Sequence, residues 1–254
     1  MILVVDVGNT NITVGIYQQD RLTYHWRLAS KIARTEDEVW LMLKVLCESE
    51  AVEMAGIQGL ALGSVVPEVS TLFRRLIEKR MPVKFVEVSS ETECGLRILY
   101  ENPRAVGADR ICNAVAGYRK YGGPLVVVDF GTATTFDVIS ERAEYLGGII
   151  APGLESASKS LHHAAAKLPQ VDLQFPPSLI GRNTETSIQS GLMYGGAEMV
   201  EGLIKRLKKE LGSSCSVVAT GGLASILLPE LPSVDRVEPY LTLEGLYMIY
   251  QMNA

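Results

Sequence analysis

A short motif is written twice in this chain, and the repeat leaves few folds open to it. Near the start, the apolar run Ile2–Val5 leads into Asp6-Val7-Gly8-Asn9-Thr10 and then into the β-branched run Ile12–Tyr17. Near the middle, Leu125–Val128 leads into Asp129-Phe130-Gly131-Thr132 and then into Thr134–Ile139. Each copy reads as a buried strand, an acidic glycine-bearing tip and a returning strand, which together make a β-hairpin. The two tips stand about half a chain length apart in 254 residues, so an internal duplication is the economical explanation.

The residues around each hairpin alternate between strand and helix patterns. Thr35–Cys47 places Val39, Leu43 and Leu46 at helical spacing, with Thr35 as N-cap and Glu38 as its capping-box partner. Gly59–Val66 and Val83–Val88 read as strands on either side of a helix at Ser70–Lys79. A long helix is expected over Gly107–Tyr121, stopped by Gly122-Gly123-Pro124. The second half continues with a turn at Gly147-Gly148, a helix over Leu154–Ala166, and a polar, proline-bearing loop over Pro169–Thr184. A helix over Ile188–Leu211, a strand at Val217–Ala219, a turn at Thr220-Gly221-Gly222 and a closing helix over Leu243–Met252 follow. This order predicts an α/β layer fold in two related halves, 1–121 and 122–254, with a cleft between them.

Composition removes several alternatives. Hydrophobic residues are 47% of the chain and charged residues 21%, enough to build packed cores. A net charge of -5 with acids and bases interspersed offers no footprint for nucleic acid or an anionic membrane surface. No apolar run approaches a membrane span, and the N-terminus lacks the basic region of a signal peptide. Cys47, Cys94, Cys112 and Cys215 show no CxxC spacing and read as reduced packing thiols, so a cytoplasmic protein is expected. His162-His163 has no metal-ligand spacing, and Tyr247, Met248, Tyr250 and Met252 of the closing helix read as packing residues.

The chemistry resides in the tips and in three further elements. At Asp6–Thr10 a glycine lets backbone N–H groups approach a phosphate, Asn9 and Thr10 add donors, and Asp6 can hold the Mg²⁺ that accompanies ATP. The same residue types also suit an ordinary tight turn, but two matching tips after matching strands weigh toward phosphate. Gly107-Ala108-Asp109-Arg110 opens a helix; its aspartate is either a dipole-complementing cap or a carboxylate that accepts a proton from a substrate hydroxyl, with Arg110 able to bind a substrate carboxylate or the developing charge. Gly147–Gly153 and Thr220-Gly221-Gly222 are glycine-bearing connections that allow close backbone approach to a ligand.

Taken in order, Asp6–Thr10 with Gly15, Gly107–Arg110, Asp129–Thr132, Gly147-Gly148 with Pro152-Gly153, and Thr220–Gly222 resemble the type III pantothenate kinases. The resemblance runs from the first strand to the last helix. It implies a duplicated RNase-H-like fold, as in the actin-like ATPases, and ATP-dependent phosphorylation of pantothenate at the opening of coenzyme A synthesis. It also implies an ATP phosphate loop formed by Asp6, Val7, Gly8, Asn9, Thr10, Asn11, Ile12 and Thr13, with further ATP contacts at Thr132, Gly221 and Gly222. Asp109 would be the proton acceptor, and Tyr100, Gly107, Ala108, Asp109, Arg110 and Thr184 would contact pantothenate. Asp129 would hold a monovalent cation, K⁺ or NH₄⁺, and the protein would be a homodimer. Two other readings share the scaffold. One is a non-catalytic nucleotide-binding regulatory or accessory protein, and the other is a kinase for a different small alcohol. Retention of Asp6, Asp109 and Asp129 together favours catalysis.

Overall fold

The computed structural model describes residues 1–30, 35–165, 167–212 and 214–254. In chain order its elements begin with β1 (Ile2–Val7), β2 (Asn11–Gln18), β3 (Arg21–Ala29), α1 (Glu36–Ser49), β4 (Gly59–Ser64), α2 (Pro67–Arg80), β5 (Lys84–Glu87), the short β6 (Arg97–Ile98) and α3 (Ala108–Tyr121). They continue with β7 (Leu125–Phe130), β8 (Ala133–Ile139), β9 (Glu144–Pro152), α4 (Leu154–Ala164), α5 (Thr184–Leu211), β10 (Ser216–Thr220), α6 (Ala224–Leu227), β11 (Arg236–Val237) and α7 (Leu241–Asn253). The chain divides into a first unit, Met1–Arg119 with Leu241–Ala254, and a second unit, Lys120–Tyr240.

The duplication is visible in the sheets. Strands of the first unit lie in the order β3-β2-β1-β4-β5, and the second unit's own strands lie in the order β9-β8-β7-β10-β11. In both, the three hairpin strands are antiparallel and the next two join in parallel. Register matches as well: Asp6 stands opposite Thr13 and Gly63, and Asp129 opposite Thr135 and Thr220. Gly8 N–H donates to Asn11 O at 2.9 Å, and Gly131 N–H donates to Ala133 O at 3.1 Å, so the second tip is the first closed one residue tighter.

Each unit buries one sheet face under helices. In the first, Leu3, Val5 and Val7 of β1 join Val39 and Leu43 of α1 and Phe73 and Leu76 of α2. In the second, Val126, Val128 and Phe130 of β7 join Leu154 of α4 and Met193, Val200 and Ile204 of α5. The cap expected at Thr35 is present: Glu38 N–H donates to Thr35 Oγ1 at 3.3 Å and Thr35 N–H donates to Glu38 Oε2 at 2.6 Å. All four cysteines are free and buried. Among the described residues no helix is long and apolar enough to cross a membrane.

Several features differ from the sequence expectation. β3 extends the first hairpin into a meander. Gly147 and Gly148, expected as a turn, lie within β9 opposite Val138 and Asp137, beside a register irregularity at Val138/Ile139. Glycine in a strand marks such an irregularity as readily as it marks a turn. The closing helix, placed by sequence in the 122–254 half, belongs to the first unit, because that sheet leaves room for it. A Cβ on Gly59 would meet the Tyr250 ring at 1.9–2.6 Å, one on Gly63 would meet Leu246 at 3.1 Å, and one on Gly15 would meet Leu243 at 3.1 Å. The helix expected to reach Ala166 ends at Ala164, and Ala166 lies outside the described residues.

Candidate active site

In the first unit, two elements carry chemistry. β1 delivers Asp6 to its C-terminal end, where β4 runs parallel beside it and Val65 N–H donates to Val7 O at 3.0 Å. α3 begins just beyond Gly107, and its first turn carries Asp109. Asp109 Oδ1 accepts from Arg110 N–H at 2.9 Å. A Cβ on Gly107 would lie 2.4 Å from that same Oδ1, so the carboxylate fills the space a side chain would need. Glycine at 107 is therefore a steric requirement of the aspartate.

Burial lifts the Asp109 carboxyl above the ordinary aspartate range; the Arg110 N–H and guanidinium pull the other way and do not cancel the shift. Arg110 itself is buried. One turn along α3, the Cys112 thiol is pushed far up by burial and then by the charges of Asp6 and Asp109. A single buried thiol feels both carboxylates, so Asp6 and Asp109 share one electrostatic neighbourhood. Tyr100 is half-buried in the segment before α3.

In the second unit, the tip Gly131–Thr132 is gripped from behind. A Cβ on Gly153 would come within 2.4 Å of both Gly131 O and Thr132 O, and Ser156 Oγ donates to Thr132 O at 2.7 Å. Gly153 is the N-cap of α4, so the start of that helix rests directly on the tip. Asp129 lies one residue before Phe130, flanked by Thr135 and Thr220 on the neighbouring strands. Gly221, at φ +91°, passes so close that a Cβ would meet Asp129 Oδ1 at 2.5 Å and Phe130 N at 2.6 Å. The helix that the Thr220–Gly222 turn opens is only α6, four residues long. Thr184 is exposed at the first position of α5, behind the Asn183 cap whose Oδ1 accepts from Thr186 N–H at 2.8 Å.

Within the first unit Asp6 and Asp109 both act on the Cys112 thiol, and within the second Gly221 packs against Asp129. Sequence reasoning missed the supporting groups Gly63 opposite Asp6, Cys112 beneath Asp109 and Ser156 behind the second tip, and it singled out Gly153 for ligand approach where the structure sets it against the tip backbone. It also missed a fully buried pair, in which Tyr145 OH donates to Asp137 Oδ1 at 2.6 Å. The signal for Gly153 was the Pro152-Gly153 pair itself; Cys112 and Asp137 carry none that spacing could reveal.

A family model described as type III pantothenate kinase matches residues 2–206. A type III pantothenate kinase from Moorella thermoacetica is 50% identical over 254 residues, covering 100% of each chain. Among solved structures, one from Campylobacter jejuni described as a conserved Baf family transcriptional activator aligns with TM-score 0.60 at 22% identity, over 99% of this chain and 98% of that one. A ROK hexokinase from Thermus thermophilus aligns with TM-score 0.53 at 13% identity, over 100% of this chain and 99% of that one. At such identities the structural likeness speaks for fold alone, and that fold is the duplicated RNase-H-like α/β fold.

Proposed function

Because this chain belongs to the type III pantothenate kinase family, we propose that it transfers the γ-phosphoryl group of ATP to the primary hydroxyl of pantothenate, giving 4′-phosphopantothenate and ADP. The observation that carries the reading is Asp109, a carboxylate seated in the space left by Gly107, lifted by burial and adjoining the buried Arg110. A carboxylate of raised basicity is suited to take the hydroxyl proton as the oxygen attacks phosphorus, and Arg110 is suited to offset the charge that develops. The Asp6–Thr13 hairpin supplies backbone and side-chain donors for phosphates, and Thr132 with Gly221 and Gly222 supplies further ATP contacts.

The residues fit the two cations this chemistry uses. Asp6 offers a hard oxygen ligand for the Mg²⁺ that accompanies ATP. At Asp129, the neighbouring Thr135 Oγ1 is buried and has no hydrogen-bond partner among the described residues, which suits an oxygen-ligated monovalent cation, K⁺ or NH₄⁺. Such cations would offset phosphate charge. We further infer a cytoplasmic homodimer in which Tyr100, Gly107–Arg110 and Thr184 contact pantothenate.

The test is purified protein with ATP, Mg²⁺ and K⁺, with or without pantothenate, read by ADP release and by the mass of the product. Pantothenate-dependent ADP and a product heavier by one phosphate are expected; ADP release indifferent to pantothenate would overturn the proposal. A regulatory role on the same scaffold is less favoured, since a regulator has no need of the Gly107–Asp109 arrangement.

A further inference from the structure

The sheet of the first unit sets Arg27 in line with Asp6. Asp6 pairs with Gly63 on one side and with Thr13 on the other, and Thr13 pairs in turn with Arg27 on the edge strand β3. Paired residues of neighbouring strands point to the same face of a sheet, so Gly63, Asp6, Thr13 and Arg27 form one row across it. Burial fixes which face that is. Tyr24, Trp26 and Leu28 of β3 pack into the core under α1 and α2 with Val5 and Val7, which leaves Asp6 and Arg27 on the opposite face. There a Cβ on Gly63 would stand 3.6 Å from Ala108 Cβ, and one on Gly107 would meet both Asp109 Oδ1 and, at 3.4 Å, Val65 just after β4. Asp109 therefore lies on the β4 flank of Asp6, and Arg27 ends the row on the other flank.

Two strand spacings, about 10 Å, separate Arg27 from Asp6, a gap that an extended arginine closes far enough to touch a group seated over Asp6 and Thr13. Arg27 is exposed, and its side chain has no hydrogen-bond or ion-pair partner among the described residues. Neither acidic tip brings a cation of its own, since Asp6–Thr13 and Asp129–Thr135 contain no lysine or arginine. A polyphosphate held at two carboxylate-bearing tips draws its positive charge from elsewhere. In the second unit the equivalent row is Thr220, Asp129, Thr135 and Ile150, and Ile150 is 63% exposed. The duplicated row thus ends in a guanidinium in the first unit and in an exposed isoleucine in the second, so the sheet itself has no need of a cation at that position.

Resting on the kinase reading, we propose that Arg27 is a catalytic residue that binds the departing diphosphate. Asp109 takes the proton of the acceptor hydroxyl as its oxygen bonds to the γ-phosphorus. The bond from that phosphorus to the β,γ-bridging oxygen breaks, and its electron pair stays on the departing diphosphate of ADP. Attacking and leaving oxygens lie roughly in line. With Asp109 on the β4 flank, the leaving oxygen turns toward Thr13 and β3, where the guanidinium fork of Arg27 donates to it. Arg110, buried and next to Asp109, is left to the attacking end.

The experiment compares wild type, Arg27→Gln, Arg27→Lys and, from the far end of the same strand, Arg21→Gln, by steady-state kinetics with pantothenate, calorimetric binding of ADP and of AMP, and thermal denaturation. Arg27→Gln is expected to lower kcat about 10²-fold, the usual loss when one donor to a developing charge is removed. Its Kd for ADP rises about tenfold, whereas AMP, which lacks the departing group, binds as to wild type, and Tm and the KM for pantothenate stay unchanged. Arg27→Lys keeps the charge without the fork and recovers part of the loss. Arg21→Gln behaves as wild type. An Arg27→Gln protein with wild-type kcat, or one that loses ADP and AMP binding equally, overturns the inference and leaves the kinase reading intact. A wild type whose ADP release is indifferent to pantothenate defeats both.

Discussion

Asp129 and Gly221 touch: the glycine backbone occupies the ground beside the carboxylate so closely that an added Cβ would stand 2.5 Å from Oδ1. Gly221 also holds φ +91°, a conformation that L side chains rarely adopt. Gly221→Ala therefore meets both strain and overlap with Phe130 backbone atoms, costing about 1–3 kcal/mol. A lowered Tm together with a raised KM for ATP is expected; an unchanged Tm would show that the turn relaxes freely.

At Asp109 the sign of the pH effect follows from the cause of the shift. Burial raises its folded pKa above the unfolded value, so its stabilising contribution is present below the unfolded pKa and is lost as pH rises through the folded one. At neutral pH the ionised carboxylate is a burden on the fold. Asp109→Asn is expected to raise Tm at neutral pH, with the advantage shrinking toward acid, while turnover falls by a factor of about 10²–10⁴ and ATP binding persists. Scanning Tm and turnover of both proteins against pH checks this. The wild-type acid limb should lie above the ordinary aspartate range.

The buried Asp137–Tyr145 pair gives a purely structural prediction. Tyr145 is 1% exposed and Asp137 0%, so Tyr145→Phe withdraws a donor from a carboxylate that water cannot reach. A loss of about 1–3 kcal/mol is expected from chemical denaturation. Adding Asp137→Asn should give less than the sum of the two single losses, since both act on one hydrogen bond.

Thr35 caps α1 through reciprocal bonds with Glu38. Thr35→Ala is expected to cost about 1 kcal/mol, seen as a lower denaturation midpoint with unchanged slope. Thr35→Ser should recover most of it.

How much of this was legible in the sequence depended on range. The two hairpins, the Thr35 cap and the Gly107 start of α3 are local patterns, and each is found where residue type and spacing placed it. β3 was equally local: Leu22, Tyr24, Trp26 and Leu28 alternate with Arg21, Thr23, His25 and Arg27, and their burial alternates in step. That signal was overlooked beside the louder hairpin. Gly147-Gly148 misled because glycine serves turns and strand irregularities alike. The convergence of Asp6 with Asp109 on Cys112, and the grip of Gly153 on the second tip, are long-range facts that no spacing encodes.

The strand glycines at 15, 59 and 63 impose an order on biosynthesis. The hollows they leave are filled by Leu243, Tyr250 and Leu246, which a ribosome produces only after the entire second unit. Domains generally fold as they emerge, earliest segment first. Here the earliest segment stays incomplete until the latest arrives, so the portion of the chain that begins first is finished last.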